Sequence, residues 1–264
     1  MSEPLAPFVV GVDRPSSGAG VAYAATEALR TGRPLELVHV APELNGWLTI
    51  VGRDVLRLAV MRADADVGGQ VSVIGTLRRG DPVDELAEAA RNATELVLEQ
   101  VPPRLQRRRG RPVTVPLAAL VDVPLVVVPA GWIGRRSSIV TVGFDAAAPD
   151  DIALRAALTQ ARLRHATLRV VVGGPPGDLE ARLAEAGADA CDVAVEESTA
   201  DPVTALRMAG LTSDLVVVGR HRPSASSSSR LGPVGRALLD NPVCPVLLPP
   251  PGHAHERSGS VGAA

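Results

Sequence analysis

Gly219 follows the aliphatic run Asp214-Leu215-Val216-Val217-Val218, and Gly232 opens a helix-type segment containing Val234 to Leu239. Between them lies the loop Arg220-His221-Arg222-Pro223-Ser224-Ala225-Ser226-Ser227-Ser228-Ser229-Arg230-Leu231. A glycine that turns the chain, a hydroxyl-rich loop and a second glycine at a helix start form an anion-binding arrangement. Backbone N–H groups and the helix dipole both favour negative charge there. Asp13 and Asp145 each end an apolar run, Val10-Gly11-Val12 and Val142-Gly143-Phe144. A carboxylate at such a position can accept hydrogen bonds from a base amine or a sugar hydroxyl. It can equally cap the following helix, near Ser16 for Asp13 and near Asp150 for Asp145.

No catalytic constellation accompanies these residues. His39 lies within an apolar run and reads as a packed histidine, whereas His221 sits between Arg220 and Arg222, where it can touch an anion. Neither has a nucleophile in a recognisable sequence relation to it. The carboxylate pairs Asp150-Asp151 and Glu196-Glu197 read as a helix start and a solvated strand end. Cys191 and Cys244 are far apart and belong to no metal spacing, so neither a zinc site nor a disulfide framework is expected and a reducing cytoplasm fits. His253-x-His255 reads as part of a solvated tail, and Ser226 to Ser229 as a loop rather than a phosphate contact. The chain is therefore expected not to be an enzyme and to have no metal-ligating residues of its own.

The elements that must position these residues occur twice. Val10-Gly11-Val12-Asp13 recurs as Val142-Gly143-Phe144-Asp145, and Leu35 to Val40 recurs as Leu168 to Val172. Asp81-Pro82-Val83 matches Asp201-Pro202-Val203, an Asp cap followed by Pro in the first helical turn. Glu95 to Leu98 matches Asp214 to Val218, and Val123-Pro124-Leu125-Val126-Val127-Val128 matches Cys244-Pro245-Val246-Leu247-Leu248. Each copy reads β-α-β-α-β-α-β-α-β, with short aliphatic strands of the kind buried on both faces of a parallel sheet. The expected fold is α/β: two tandem Rossmann-like domains, 8–130 and 138–250, each an open, mostly parallel five-stranded sheet with helices on both faces. In such sheets the ligand crevice lies at the carboxyl ends of the strands, where the strand order reverses.

Composition agrees and excludes several alternatives. The 264 residues are 46% hydrophobic and 21% charged with a formal net charge of -2, which excludes disorder as the main state and implies no global electrostatic partner. Every one of the 27 basic residues is Arg, which excludes a Schiff-base lysine or a lysine-dependent phosphate loop. The aromatics Phe8, Tyr23, Trp47, Trp132 and Phe144 are too few for a base-stacking platform, so nucleic acid is not an expected partner. Val113 to Ile133 carries Asp122 as its one charge, but Pro116, Pro124 and Pro129 break it too often for a membrane helix. The N-terminal MSEPLAPF has neither a basic nor an apolar signal region.

The second repeat resembles a universal stress protein domain. That family's signature is a glycine, two residues, a glycine, nine residues, then glycine and Ser or Thr, followed by a helix and a Cys-Pro-Val strand. Gly219 and Gly232 keep the spacing, and Asn241-Pro242-Val243-Cys244-Pro245-Val246-Leu247-Leu248 resembles the last strand. With both repeats, the resemblance covers about residues 8 to 249. It implies a tandem universal stress protein, a regulatory protein of the stress response that binds ATP with Mg²⁺ in its second domain. Asp145, the main chain near Val171, Gly219, Gly232 and Val234 then lie in the site. It also implies association through the last strands, either between the two repeats as an intramolecular pseudo-dimer or between copies of the chain.

Two departures qualify that expectation. Arg222 replaces the second loop glycine and Pro233 replaces the hydroxyl residue, which removes a hydroxyl and an N–H donor from the phosphate site. Arg222 can compensate by pairing with phosphate, or it can fill the site. In the first repeat Leu98 is followed by Glu99 to Pro112 with no glycine at the strand end, so nucleotide binding is not expected there. Its Arg107 to Arg111 cluster reads as a solvated loop rather than a site for an acidic partner, phosphate or nucleic acid. A nucleotide-independent scaffold of the same fold is the alternative function, and a weak ATPase a third.

Overall fold

The computed structural model describes residues 5–15, 17–43, 46–100, 113–134, 137–147, 151–220 and 231–251. The first half runs β1 (Phe8–Gly11), α1 (Ala19–Thr31), β2 (Leu35–Ala41), α2 (Gly46–Val67), β3 (Val73–Arg79), α3 (Pro82–Ala90), β4 (Glu95–Gln100), α4 (Thr114–Leu120) and β5 (Leu125–Pro129). The second runs β6 (Ile139–Phe144), α5 (Ile152–Arg164), β7 (Thr167–Val172), α6 (Leu179–Glu185), a 3₁₀ turn (Ala188–Ala190), β8 (Val193–Glu197), α7 (Pro202–Gly210), β9 (Leu215–Val217), α8 (Pro233–Asp240) and β10 (Val246–Leu248). The helix starts follow from local chemistry. Asp81 accepts the Val83 N–H at 2.8 Å ahead of Pro82, and Asp201 accepts the Val203 and Thr204 N–H groups, both at 3.1 Å, ahead of Pro202. The Thr204 side chain first, and then the Thr204 and Val203 amides, hold the Asp201 carboxyl below the ordinary carboxylate range.

Each half is a parallel five-stranded sheet, and the two halves fuse. The ten strands run in the order β3-β2-β1-β4-β5-β10-β9-β6-β7-β8, parallel throughout except where β5 meets β10 antiparallel. Across that seam Val126 pairs with Leu247, Val127 with Val246, and Leu125 with Leu248. Val126 aligns with Val97 on β4, as Leu247 aligns with Val217 on β9, so the central pair joins equivalent residues of the two halves. An approximate two-fold axis passes through it. The last strands expected as edges are therefore covered within the chain, and the exposed edges are β3 and β8, whose outer positions carry Ile74 and Val195 half in solvent.

Two aliphatic layers cover the sheet. One packs Ala24 and Ala28 of α1 and Leu158 and Ala161 of α5 against Val10, Val97, Val142 and Leu247. The other packs Leu86 of α3, Leu117 of α4, Leu206 of α7 and Leu239 of α8 against Val9, Leu96 and Val127. Gly11 and Gly143 let side chains of this second face approach closely: a Cβ at Gly11 would lie 2.8 Å from Leu98 Cδ2 on β4 and 3.3 Å from Leu86 Cδ1 on α3, and one at Gly143 would lie 3.0 Å from Leu206 Cδ1 on α7. The apolar stretch from Val113 folds as α4 and β5, and among the described residues no helix is long and apolar enough to cross a membrane.

A buried polar cluster also crosses the seam. Arg164 of α5 pairs with Glu27 Oε1 of α1 at 2.9 Å and donates to the Tyr23 hydroxyl at 3.1 Å, and Arg30 pairs with the same Glu27 oxygen. Glu95 lies beneath at 4% exposure with its Oε1 unpartnered. Burial pushes the Glu95 carboxyl from the ordinary 4.5 up to about 8, the Glu27 charge pushes the same way, and Arg164 opposes both.

Candidate functional site

Strand β6 is flanked by β7 on one side and β9 on the other, and the chain leaves those two neighbours on opposite faces of the sheet. At this reversal the carboxyl ends of the strands open on a cavity of about 660 Å³. Asp145, Val171, Gly219 and Val234, distant in sequence, all line it. Gly232 is the N-cap of α8, directly behind the lining residue Pro233, and is not itself on the wall. Arg222 falls outside the described residues, as do His221, Ser226 to Ser229, the Arg107 to Arg111 cluster and the His253-x-His255 pair.

The two strand-end aspartates behave differently. Asp145 is exposed at the cavity mouth and accepts the Ala147 N–H at 2.9 Å, which opens a turn rather than capping α5, whose N-cap is Asp151. Asp13 instead accepts the Ser17 hydroxyl at 2.5 Å and lies 3.7 Å from Arg14 Nε. It does not cap α1 with its side chain, because Glu99 takes the first amides of that helix.

On β7 the backbone of Val171 is held in the ladder between Gly143 and Glu196. The Val172 carbonyl accepts the Ser198 N–H at 2.9 Å. The backbone that leaves the ladder and lines the cavity therefore begins at Gly173 and Gly174, two residues beyond the expected position. A Cβ at either glycine would meet nothing within 4 Å, so both faces are open to an occupant.

Arg182 of α6 closes the far wall and is a site residue that sequence reasoning missed. Its Nε donates to Asp178 at 2.9 Å and its Nη1 to Asp151 at 3.1 Å, and the guanidinium stands 5.5 Å over the Phe144 ring. The hydrogen bond to Asp178, with the two nearby carboxylates, raises its pKa above the ordinary arginine value. Two carboxylates thus offset its charge, and it braces the wall rather than offering a bare cation. Of the Asp150-Asp151 pair, expected as a helix start, Asp150 lies outside the described residues and Asp151 is the N-cap residue of α5, with its side chain paired to Arg182. An Asp-x-x-x-Arg spacing on a short helix was the only signal of it.

Gly219 and Gly235 stand where the cavity meets α8. Among the described residues no side chain caps the first turn of α8, and the N–H groups at Val234 and Gly235 belong to the set that a helix leaves without intrahelical partners. Pro233 contributes none. The next wall residue, Arg220, turns away: its Nη1 donates to the carbonyls of Ala118 at 2.6 Å and Val121 at 2.8 Å, its Nη2 to Val123 at 2.9 Å, and its Nε to Pro249 at 2.7 Å.

The same place in the first half is filled. Register sets Gly11 against Leu98 in β1 and β4, and Val142 against Val217 in β6 and β9, so Glu99 stands where Gly219 stands. The Glu99 Oε2 accepts the Ala19 N–H at 2.9 Å and the Gly20 N–H at 3.2 Å, and its Oε1 accepts Arg14 Nη2 at 3.0 Å. The chain's own carboxylate thus sits at the positive end of α1. His39 adds bulk nearby, its Nδ1 donating to the Val12 carbonyl at 2.7 Å and its ring facing Gly52.

Among the described residues no group of three or more His, Cys, Asp or Glu is placed to hold a metal ion. No protein-family model and no curated protein sequence matches the chain. Solved structures do. A universal stress protein from Archaeoglobus fulgidus DSM 4304 superposes with a TM-score of 0.73 at 16% identity, over 92% of this chain and 96% of that one. A protein of unknown function from Pseudomonas aeruginosa PAO1 gives 0.62 at 19% identity, over 94% and 93%. A candidate universal stress protein from Pseudomonas aeruginosa UCBPP-PA14 gives 0.61 at 20%, over 92% and 91%. With both five-stranded halves and their antiparallel seam in one polypeptide, the chain has the tandem fold of the universal stress proteins.

Proposed function

We propose that the chain is a regulatory protein of the universal stress type that binds one adenine nucleotide, ATP with Mg²⁺, in the cavity of its second half. The observation that carries this reading is the contrast between Glu99 and Gly219. One fold position is plugged by a carboxylate in the first half and left open by a glycine in the second, above a cavity of about 660 Å³. That volume falls within the range of about 300 to 1,000 Å³ typical of small-molecule sites. Asp145 supplies an acceptor at one end for a ribose hydroxyl or base amine. The amides at Val234 and Gly235 supply donors at the other end for phosphate. The walls between are apolar, with Leu154, Val171 and Leu206 suited to a base.

The reading is of a binding protein rather than an enzyme. Isothermal calorimetry of the full chain with Mg-ATP tests it against Gly219→Glu, which places in the second half the residue that plugs the first. A Cβ at Gly219 would lie 3.6 Å from Ala153 Cβ, an ordinary contact, so the variant is expected to fold. Saturable binding near one nucleotide per chain, lost in Gly219→Glu, supports the reading. Absence of saturable binding by the wild type at millimolar ATP overturns it. The scaffold alternative then takes its place, and Pro233, which withdraws an N–H from the first turn of α8, is the observation that favours it.

A further inference from the structure

Arg220 is shared between the cavity and the opposite half of the molecule. It follows Gly219 on the cavity wall, yet its guanidinium is spent on four carbonyls, three of which belong to the end of α4 and the turn into β5. Those carbonyls include ones that a helix C-terminus leaves without intrahelical partners, and a cation is the favoured group to satisfy them. The fourth, Pro249, follows β10. One side chain therefore ties the start of the 220–231 loop to both strands of the seam.

The two-fold relation makes the arrangement reciprocal and unequal. Gln100 stands in the first half where Arg220 stands in the second, and its Nε2 reaches the carbonyl of Asp240 at the end of α8, at 3.3 Å. Its Oε1 accepts the Thr114 hydroxyl at 3.2 Å, at the start of α4. Each half thus anchors the strand-end residue of the other, by one neutral bond from the first half and by a charged fork from the second. The strong anchor belongs to the half whose cavity is open.

We propose that Arg220 is a positioning residue through which the end of α4 in the first half sets the strand end at Gly219 and Arg220 on the wall of the second-half cavity, so that occupancy of the cavity and order at residues 118–123 are thermodynamically linked. None of residues 118–123 lines the cavity, so the linkage must run through Arg220 and the seam. Linkage is mutual: a ligand that steadies the wall at Gly219 and Arg220 steadies the helix end, and loosening the helix end weakens the ligand. The ligand arm of this proposal rests on the nucleotide reading above.

Hydrogen–deuterium exchange on the full chain, with and without Mg-ATP, tests it in the wild type and in Arg220→Gln. Glutamine serves at the equivalent position of the first half, so this variant is expected to fold; Arg220→Met repeats the test without a donor. In the wild type, ATP should slow exchange at 231–236 and also at 118–123. In both variants protection at 118–123 should vanish, with ATP affinity weakened about tenfold or more, the scale of losing a charge-assisted hydrogen bond. Protection at 231–236 with no change at 118–123 in the wild type overturns the linkage and leaves the nucleotide reading intact. If ATP protects neither segment, the nucleotide reading falls, and the anchor is judged without ligand. It stands if Arg220→Gln speeds exchange at both 118–123 and 231–236, and it falls if 231–236 is unmoved.

Discussion

Glu99 and Gly219 occupy one position of a duplicated fold, a carboxylate bound to the start of α1 in the first half and a glycine on the cavity wall in the second. The Glu99 carboxylate is bound by the amides of Ala19 and Gly20 and by Arg14, so the first half carries its own anion. Nothing larger than a hydrogen atom projects from Gly219. A Cβ there would meet Ala153 Cβ at 3.6 Å, an ordinary contact.

Removing the internal anion should destabilise the protein. Glu99 and Arg14 are only 4% and 9% exposed at the side chain, and breaking one partner of a buried ion pair leaves the other uncompensated. Glu99→Ala is expected to lower unfolding stability by about 3 to 5 kcal/mol, read from the urea midpoint at constant slope. A loss below about 1 kcal/mol, the range of exposed pairs, would mean that the Arg14 and α1 contacts are incidental.

Asp145 should matter for ligand and little for stability. It is exposed and accepts the Ala147 amide of a surface turn. Asp145→Ala is expected to weaken Mg-ATP about tenfold or more, as a hydrogen bond to a charged acceptor is lost. The change in folding stability should stay within about 0.5 kcal/mol. Calorimetry and chemical denaturation on the same sample separate the two, and equal affinity in the variant would remove Asp145 from the site.

The seam cluster gives stability a pH dependence with a definite sign. Folded Glu95 keeps its proton up to about pH 8, whereas the unfolded carboxyl releases it near 4.5. Between these values the native state binds more protons, so stability falls as pH rises through the window and levels off above about 8. The limiting slope is about 1.4 kcal/mol per pH unit. Above the window a second carboxylate faces Glu27, with Arg164, Arg30 and Tyr23 around them. Urea midpoints from pH 5 to 8, roughly the span over which the shift acts, should decline more steeply in the wild type than in Glu95→Gln. Parallel curves would show that Glu95 titrates normally.

One continuous sheet predicts one unfolding transition. The halves share the pairs Val126 with Leu247 and Val127 with Val246, and Leu247 is 2% exposed. Differential scanning calorimetry should give a single peak whose calorimetric and van't Hoff enthalpies agree. Leu247→Ala should shift the whole peak downward, consistent with a loss of about 2 to 5 kcal/mol. Two peaks, with only one displaced, would show that the halves fold independently.

Much of the fold could be read before the structure, because its signals are local. Aliphatic runs of strand length, Asp-Pro helix starts at 81 and 201, and five motifs in the same order twice are patterns of neighbouring residues. Parallel strands buried on both faces follow from them. The gathering of Asp145, Val171, Gly219 and Val234 was legible through the resemblance, and the structure places all four on one cavity. Other parts were not legible. Arg182 meets Asp151 from 31 residues away, and Arg220 meets Val123 from 97 residues away, separations over which sequence pattern carries no register.

Composition and periodicity therefore determined the α/β class, the duplication and the aliphatic core, since hydrophobic patterning and helix-start chemistry act within a few residues of chain. Only the tertiary structure decided that the two sheets join through β5 and β10, because strand-edge pairing is a choice among exposed edges that no local pattern specifies. Only it decided that Glu99 fills one crevice while Gly219 leaves the other open. A carboxylate's role depends on which amides and guanidinium the fold brings within about 3 Å of it, the distance at which a charge-assisted hydrogen bond forms.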